Sequence, residues 1–175
     1  APKDATELRQ SLYSLQSHCE SPVAVRYPRG YANTTHWQVP FEVLDFNKIQ
    51  NIKKGTKIAV FSTGTILENV LNALEFDHDH IAVFHFLKIK PLDQRQIMNI
   101  AQKFQTIITI EEGVINGGFG SSISQLFSKN KINKQIIHLG VPDVFIEHAT
   151  VQEQMEECGL DVASLQNLFK NLSNV

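Results

Sequence analysis

Two adjacent carboxylates and a glycine-rich turn are the residues of this sequence best suited to chemistry. Glu111 and Glu112 close an apolar run, and the turn Gly117–Gly120 follows them. Paired carboxylates can act as general acid and base, but neighbouring residues at a strand end point to opposite faces of a sheet. We therefore interpret them as caps for the following turn or as contacts to a neighbouring domain. The glycines allow positive φ and a close approach of the backbone.

Arg29 is the second candidate, and it lies between Pro28 and Gly30 where a short predicted strand ends. A guanidinium group offers a planar fork of donors that matches a phosphate. Taken alone, the pattern favours a surface arginine that closes a turn, with phosphate binding as the alternative.

The remaining reactive residues do not form a recognisable site. His78 and His80 make an HxH pair, but two ligands on a polar loop are a poor metal site. The turn Ile115–Gly120 lacks the GxGxxG spacing of a dinucleotide loop. Cys19 and Cys158 lie outside any metal or redox spacing, so we interpret them as reduced structural cysteines of a cytosolic protein. We predict no catalytic residue, metal ligand or cofactor ligand in this chain.

The composition is typical of one globular domain with an appendage. The chain has 175 residues, 42% hydrophobic and 19% charged, which is enough for a core. A net charge of −2 without a basic stripe argues against nucleic-acid binding. No apolar run approaches the roughly 18–20 residues that span a bilayer, and the first residues do not resemble a signal peptide. We expect a cytoplasmic protein that binds neither nucleic acid nor membrane.

Strand and helix patterns alternate from Lys57 onward, which predicts an α/β fold with a mostly parallel sheet covered on both faces. Asp93 is a predicted N-cap, Thr150 with Glu153 a capping box, and Gly159 a helix C′ residue. The predicted strands are 58–62, 81–86, 106–110 and 135–139, and the predicted helices are 66–74, one after Asp93, one after the glycine turn, one after Thr150, and 161–172.

The first 30 residues are expected to belong to another domain. Asp4, with Glu7 as capping-box partner, predicts a helix whose apolar face carries leucines at positions 8, 12 and 15. Pro22–Arg26 is a predicted strand. The next segment, residues 31–55, lacks periodicity and is predicted to be a surface linker, with a local strand near Trp37–Val43. A lone helix and strand before such a linker have no sheet of their own to join.

Four segments together carry a family resemblance. They are YPRG at Tyr27–Gly30, KPLD at Lys90–Asp93, EEG…GGFG within Glu111–Gly120, and LGVPDVFIEHAT at Leu139–Thr150. In this order they resemble the C-terminal end of 1-deoxy-D-xylulose-5-phosphate synthases, thiamine-diphosphate enzymes of the transketolase superfamily. The last segment is the most specific, because the glycine motif is also similar to that of 2-oxoacid dehydrogenase β subunits.

The resemblance implies a three-layer transketolase C-terminal-like domain at residues 56–175, after the linker 31–55 and a pyrimidine-binding-domain tail at residues 1–30. It also implies a homodimeric synthase that condenses pyruvate with glyceraldehyde 3-phosphate, releases CO2 and feeds isoprenoid, thiamine and pyridoxal synthesis. Thiamine diphosphate and Mg2+ would sit in upstream domains, and Arg29 would hold the substrate phosphate. These residues alone would be inactive. The alternatives are a stand-alone, non-catalytic dimerisation module and a 2-oxoacid dehydrogenase β subunit.

Overall fold

The computed structural model describes residues 1–18, 20–32, 38–74 and 79–173. The strands are β1 Gln50–Lys53, β2 Ile58–Ser62, β3 Ile81–His85, β4 Thr106–Val114 and β5 Gln135–Val141. The helices are α1 Ala5–His18, α2 Leu67–Ala73, α3 Gln94–Ala101, α4 Phe119–Lys129, α5 Val151–Glu157 and α6 Val162–Ser173.

The strands form one sheet in the order β1-β3-β2-β4-β5. The four strands β2 to β5 are parallel, and Ile58 at the start of β2 pairs with Ile81 on one side and Thr106 on the other. The predicted α/β architecture is confirmed. Strand β1 pairs antiparallel with β3 at the edge and lies within the segment predicted to be a linker, so the sequence analysis missed it.

Both faces of the sheet are covered, which explains why the central strands are apolar without alternation. Every residue of β2 and of β3 is buried. Helices α2 and α6 cover one face, and α3 and α4 cover the other. The largest fully buried side chains are Phe61, Phe119, Phe127, Phe169, Ile66, Ile81, Ile97, Ile107, Ile108, Ile110, Ile123 and Leu160.

The predicted helix caps are confirmed. The Asp93 carboxylate accepts a hydrogen bond from the backbone N–H of Gln96 at 2.9 Å. Thr150 and Glu153 form a reciprocal capping box, and Gly159 ends that helix with φ of 68°. In the described ranges, no helix is both long and apolar enough to cross a membrane.

Residues 1–32, here called the N-terminal arm, pack against the sheet in an unexpected way. The predicted N-cap is present, because Asp4 Oδ1 accepts from the N–H of Glu7 at 2.6 Å. Glu7 itself accepts from the N–H of Lys3, not from Asp4, so the predicted capping box is wrong. The side of α1 that is buried is polar, and Leu12 on its apolar side is 51% exposed. The buried residues of α1 are Glu7, Gln10, Ser11 and Ser14.

The predicted strand at Pro22–Arg26 does not form. The segment is assigned no secondary structure and pairs with no strand of the described residues. A strand needs a partner edge, and the only sheet in the described ranges contains β1 to β5. The local strand predicted near Trp37–Val43 is also absent from residues 38–43, and residue 37 lies outside the described ranges.

Candidate functional site at the carboxyl edge of the sheet

The strand order creates a switch point between β2 and β4. From β2 the chain moves outward to β3 on one side, then returns to add β4 on the other side. The crevice outside the carboxyl ends of two such strands is the usual ligand position in open α/β sheets. The groups at this crevice therefore decide what the domain can bind there.

Glu111 caps helix α4, which agrees with the first of the two interpretations given above, a cap for the turn that follows. Its carboxylate accepts hydrogen bonds from the backbone N–H groups of Phe119 at 2.9 Å and Gly120 at 2.8 Å. The side chain is buried, and its negative charge lies at the positive end of the helix dipole. A Cβ at Gly118 would lie 2.4 Å from Glu111 Oε2, so the close approach requires glycine there. Gly117 adopts a φ of +79°, which glycine tolerates best.

Glu112 points away from Glu111 and reaches the turn that precedes α2. It accepts from the backbone N–H of Thr65 at 3.1 Å and also from the Thr65 hydroxyl. Gly64, with φ of +80°, makes room, because a Cβ there would lie 2.5 Å from Glu112 Oε2. The two carboxylates thus serve two different turns. They do not converge on one atom, and the protein's own anions occupy the N–H groups that could otherwise receive a phosphate.

Arg29 lies outside this network. It is exposed, and no described residue forms a hydrogen bond or ion pair with its side chain. Among the described residues, a Cβ placed on the following Gly30 would meet no atom within 4 Å. Phosphate binding by Arg29 stays a prediction.

A buried hydrogen bond between α1 and β3 was missed by the sequence analysis. His85 Nε2 and Glu7 Oε2 lie 2.8 Å apart, and the two residues are separated by 78 positions. Lys3 Nζ and Gln50 Nε2 also donate to Glu7, at 2.7 and 2.9 Å. Burial by itself would raise the pKa of the Glu7 carboxyl, but the hydrogen bonds from His85 and Lys3 outweigh it and lower the pKa to about 2. The only sequence signal was a single histidine within an apolar strand.

The same region contains buried polar atoms without partners. In the described part of the chain, Ser11 Oγ, Ser62 Oγ and His85 Nδ1 are buried without a hydrogen bond. Ser62 and His85 are neighbours in register on adjacent strands. The contact between α1 and the sheet is therefore more polar and less completely satisfied than the two apolar faces.

A second histidine joins three elements at the other side of the sheet. His138 on β5 is hydrogen-bonded through Nδ1 to Thr109 Oγ1 at 2.6 Å and through Nε2 to Ser124 Oγ at 2.7 Å. Burial lowers the pKa of His138, partly offset by the charge of Glu111. The ring thus links β4, β5 and α4. Ser124 lies inside helix α4, away from any turn that could offer N–H donors to a reacting oxygen, so we assign the network a structural role.

The described residues do not fit a magnesium–diphosphate site. They contain no group of three or more His, Cys, Asp or Glu side chains arranged to hold a metal. Both switch-point carboxylates already accept hydrogen bonds from the backbone. His78 and Cys19 lie outside the described ranges, and Cys158 is a free thiol whose pKa is raised by burial.

The fold and its carboxyl edge define an α/β domain of the transketolase type. The model of the family "Transketolase, C-terminal domain" matches residues 47–165. This chain belongs to that family.

Comparison with curated proteins gives a more specific likeness. The chain is 34% identical over 173 residues to a 1-deoxy-D-xylulose-5-phosphate synthase of Parabacteroides distasonis, covering 97% of this chain and 27% of that protein. It is 39% identical over 166 residues to the synthase of Vibrio parahaemolyticus, covering 95% of this chain and 26% of that protein. The chain thus spans about a quarter of the length of the relatives it matches.

Among solved structures, the fold is similar to a chain titled "Split gene transketolase, inactive beta4 tetramer". The TM-score is 0.78 at 23% identity, and the match covers 97% of this chain and 55% of that one. At this identity the similarity concerns the fold.

Proposed function

We propose that this chain is the C-terminal part of a thiamine-diphosphate-dependent synthase that condenses pyruvate and glyceraldehyde 3-phosphate to 1-deoxy-D-xylulose 5-phosphate, with release of CO2. The observation that carries the proposal is the similarity to such synthases over 97% of the chain, which includes the N-terminal arm and the tail. The product is a precursor for isoprenoid, thiamine and pyridoxal synthesis. We propose a cytoplasmic location for the enzyme.

The proposed division is a pyrimidine-binding-domain tail at residues 1–30, a linker at 31–55 and the transketolase C-terminal domain at 56–175, with β1 at the end of the linker segment joined to the sheet of that domain. The outward side of the arm supports it. An open groove of about 440 Å³ runs along α1 between Leu8, Leu12 and Phe41. Tyr27 and Tyr31 farther along the arm are 59% and 105% exposed. Apolar surface of this kind is typical of a face that another domain covers.

The cofactor and Mg2+ are assigned to upstream domains, because this chain lacks a suitable ligand set in its described residues. In such an enzyme, thiamine diphosphate supplies the carbanion chemistry and the protein supplies orientation. We expect a flat calorimetric titration of these 175 residues with thiamine diphosphate and Mg2+. Micromolar, magnesium-dependent binding would place the cofactor site here instead.

Arg29 is the residue of this chain proposed to contact substrate. Its guanidinium would receive the phosphate of glyceraldehyde 3-phosphate in a bidentate, charge-assisted contact. The side chain is exposed and has no partner among the described residues, which supports this role.

The test is Arg29→Ala in the full-length enzyme, with the exposed Arg95→Ala on α3 as the matched control. Losing a charge-assisted contact worth about 1.5–3 kcal/mol should raise the KM for glyceraldehyde 3-phosphate by about 10- to 150-fold. The KM for pyruvate should change far less, and Arg95→Ala should change neither. Equal effects of Arg29→Ala on both substrates would contradict the assignment.

A second candidate is a non-catalytic module that assembles with itself, which the fold match to a tetrameric transketolase chain favours. We propose that the synthase is a homodimer and expect these residues to dimerise. Light scattering at high micromolar concentration measures this, and a clean monomer would contradict it. The intact mass of the protein, compared with the length of its gene product, separates the synthase from the short module. The third candidate, a 2-oxoacid dehydrogenase β subunit, is tested by assaying its own acyl-transfer reaction in parallel.

A further inference from the structure

Arg26 lies at the switch-point crevice, three residues before Arg29 in the same extended segment. Its two terminal nitrogens are found beside two glycines on opposite sides of the crevice. A Cβ at Gly64 would lie 3.4 Å from Arg26 Nη2, and a Cβ at Gly113 would lie 3.6 Å from Arg26 Nη1. The guanidinium therefore spans from the turn before α2 to the end of β4.

The same two glycine positions also face the switch-point carboxylates. A Cβ at Gly64 would lie 2.5 Å from Glu112 Oε2, and a Cβ at Gly113 would lie 3.1 Å from Glu111 Oε2. A cation is thus placed beside two anions, although no nitrogen of Arg26 lies within ion-pair distance of them in the described residues. The attraction is through space, at a partly solvated edge, and it does not require one fixed hydrogen bond.

We propose that Arg26 is a positioning residue for the YPRG turn: the charges of Glu111 and Glu112 hold its guanidinium over the switch-point crevice and thereby set where Arg29 projects. About 10 Å of extended backbone separate the two arginines, so a fixed Arg26 confines Arg29 to a small region. The proposal deepens the proposed function and rests on it for the role of Arg29.

The groups that line this crevice are already engaged within the protein. Each carboxylate already accepts two hydrogen bonds at the start of a helix. Arg26 lies beside the same two glycines as these carboxylates, and the neighbouring Val25 is half-buried. Arg26 therefore lies at the crevice that receives a ligand in many α/β proteins.

The first experiment measures backbone order without substrate. Order parameters from 15N relaxation are recorded for the residues between 24 and 31 that carry a backbone N–H, all except Pro28, in the 175-residue protein. They are compared among wild type, Arg26→Gln, Arg26→Lys and the control Arg95→Gln. We expect Arg26→Gln to lower the order parameters toward the flexible range below about 0.6. Arg26→Lys should restore them in part, and Arg95→Gln should leave them unchanged. The wild-type values should fall when salt is raised to 1 M, because exposed charges are screened.

The second experiment measures substrate binding in the full-length enzyme. A screened, exposed charge pair corresponds to about a two- to fivefold effect. Arg26→Gln should raise the KM for glyceraldehyde 3-phosphate by that factor and leave kcat and the KM for pyruvate unchanged, with rescue by Arg26→Lys. Glu112→Gln should act in the same direction.

The two experiments separate failure of this proposal from failure of the proposed function. If Arg29→Ala leaves the KM for the phosphorylated substrate unchanged, the proposed role of Arg29 fails, whatever Arg26 does. If Arg29→Ala has its effect but Arg26→Gln behaves like Arg95→Gln in both experiments, the positioning role is overturned. It is also overturned if Arg26→Gln loosens the segment without changing that KM.

Discussion

Helices α1 and α4 both reach the carboxyl edge of the sheet, but they attach to it by opposite chemistry. Helix α4 buries apolar side chains such as Ile123 and Phe127, and the Glu111 carboxylate of β4 caps its N-terminus. Helix α1 buries polar side chains, including Glu7 and Gln10, and leaves Leu12 about half exposed. Helix α4 is thus part of a covering layer of the sheet, whereas α1 has its apolar side directed away from the sheet.

The two kinds of contact contribute differently: apolar burial mainly stabilises the fold, whereas buried hydrogen bonds mainly fix the position of a helix. Burying a large apolar side chain contributes about 1.5–3 kcal/mol without fixing direction. A buried hydrogen bond contributes about 0.5–1.5 kcal/mol net, but it specifies geometry. The contact of α1 through Glu7 and His85 is therefore suited to setting the place of the arm, while its apolar side remains available for a further domain.

Removal of the Glu7 carboxylate should change the attachment of α1 more than the substitutions that follow, and it should leave α4 unaffected. Glu7→Ala leaves the buried His85 ring without its partner and also removes the ion pair with Lys3. Breaking such a buried pair typically costs about 3–5 kcal/mol. We expect the amides of α1 to lose hydrogen-exchange protection, while the amides of α4 keep theirs. The exposed Glu20→Gln is the matched control. Retained protection of α1 in Glu7→Ala would show that the pair does not dock the arm.

Acid should release α1 before it affects the apolar layers. Because the pKa of Glu7 is lowered from 4.5 to about 2 in the folded protein, its contribution is fully present above pH 4.5 and is lost as the pH falls toward 2. The shift corresponds to about 3 kcal/mol. The hydrogen-exchange protection of the α1 amides is measured as a function of pH in wild type and in Glu7→Gln. The two curves should converge near pH 2, and parallel curves would contradict the linkage.

A substitution at Gly120 tests the packing at α4, and we expect a smaller loss of stability than for Glu7→Ala. A Cβ at Gly120 would lie 2.5 Å from Thr109 Oγ1 and 2.6 Å from His138 Nδ1, so Gly120→Ala should cost about 1–3 kcal/mol through overpacking. Gly159→Ala is the control. Its φ of +68° is strained for alanine, but the space is open, and about 1 kcal/mol is expected. Urea unfolding measures the free energy of unfolding of both variants. If Gly120→Ala loses no more of this free energy than Gly159→Ala, the close packing is refuted.

Local sequence determined the features that depend on neighbouring residues. Asp93, Thr150 and Gly159 mark helix ends because a cap is formed within a few residues of the backbone groups that it satisfies. The apolar runs of β2 and β3 marked buried strands for a similar reason, since a strand covered on both faces has no polar positions. The alternation of a strand indicated that Glu111 and Glu112 point apart, and Glu111 caps the element that follows, one of the two roles considered. The partner of Glu112, Thr65, lies 47 residues earlier in the chain and was not predicted.

Only the tertiary structure decided the features that need a distant partner. Strand β1 has the sequence QNIK, which has no period of its own, and it forms because the edge of β3 offers a ladder. Pro22–Arg26 has the better strand pattern but has no such edge in the described ranges. The pattern of α1 showed that the helix has two sides, but it could not show which side meets the sheet. Glu7 decides that through His85, 78 residues away, because a buried charge must lie where its partner is.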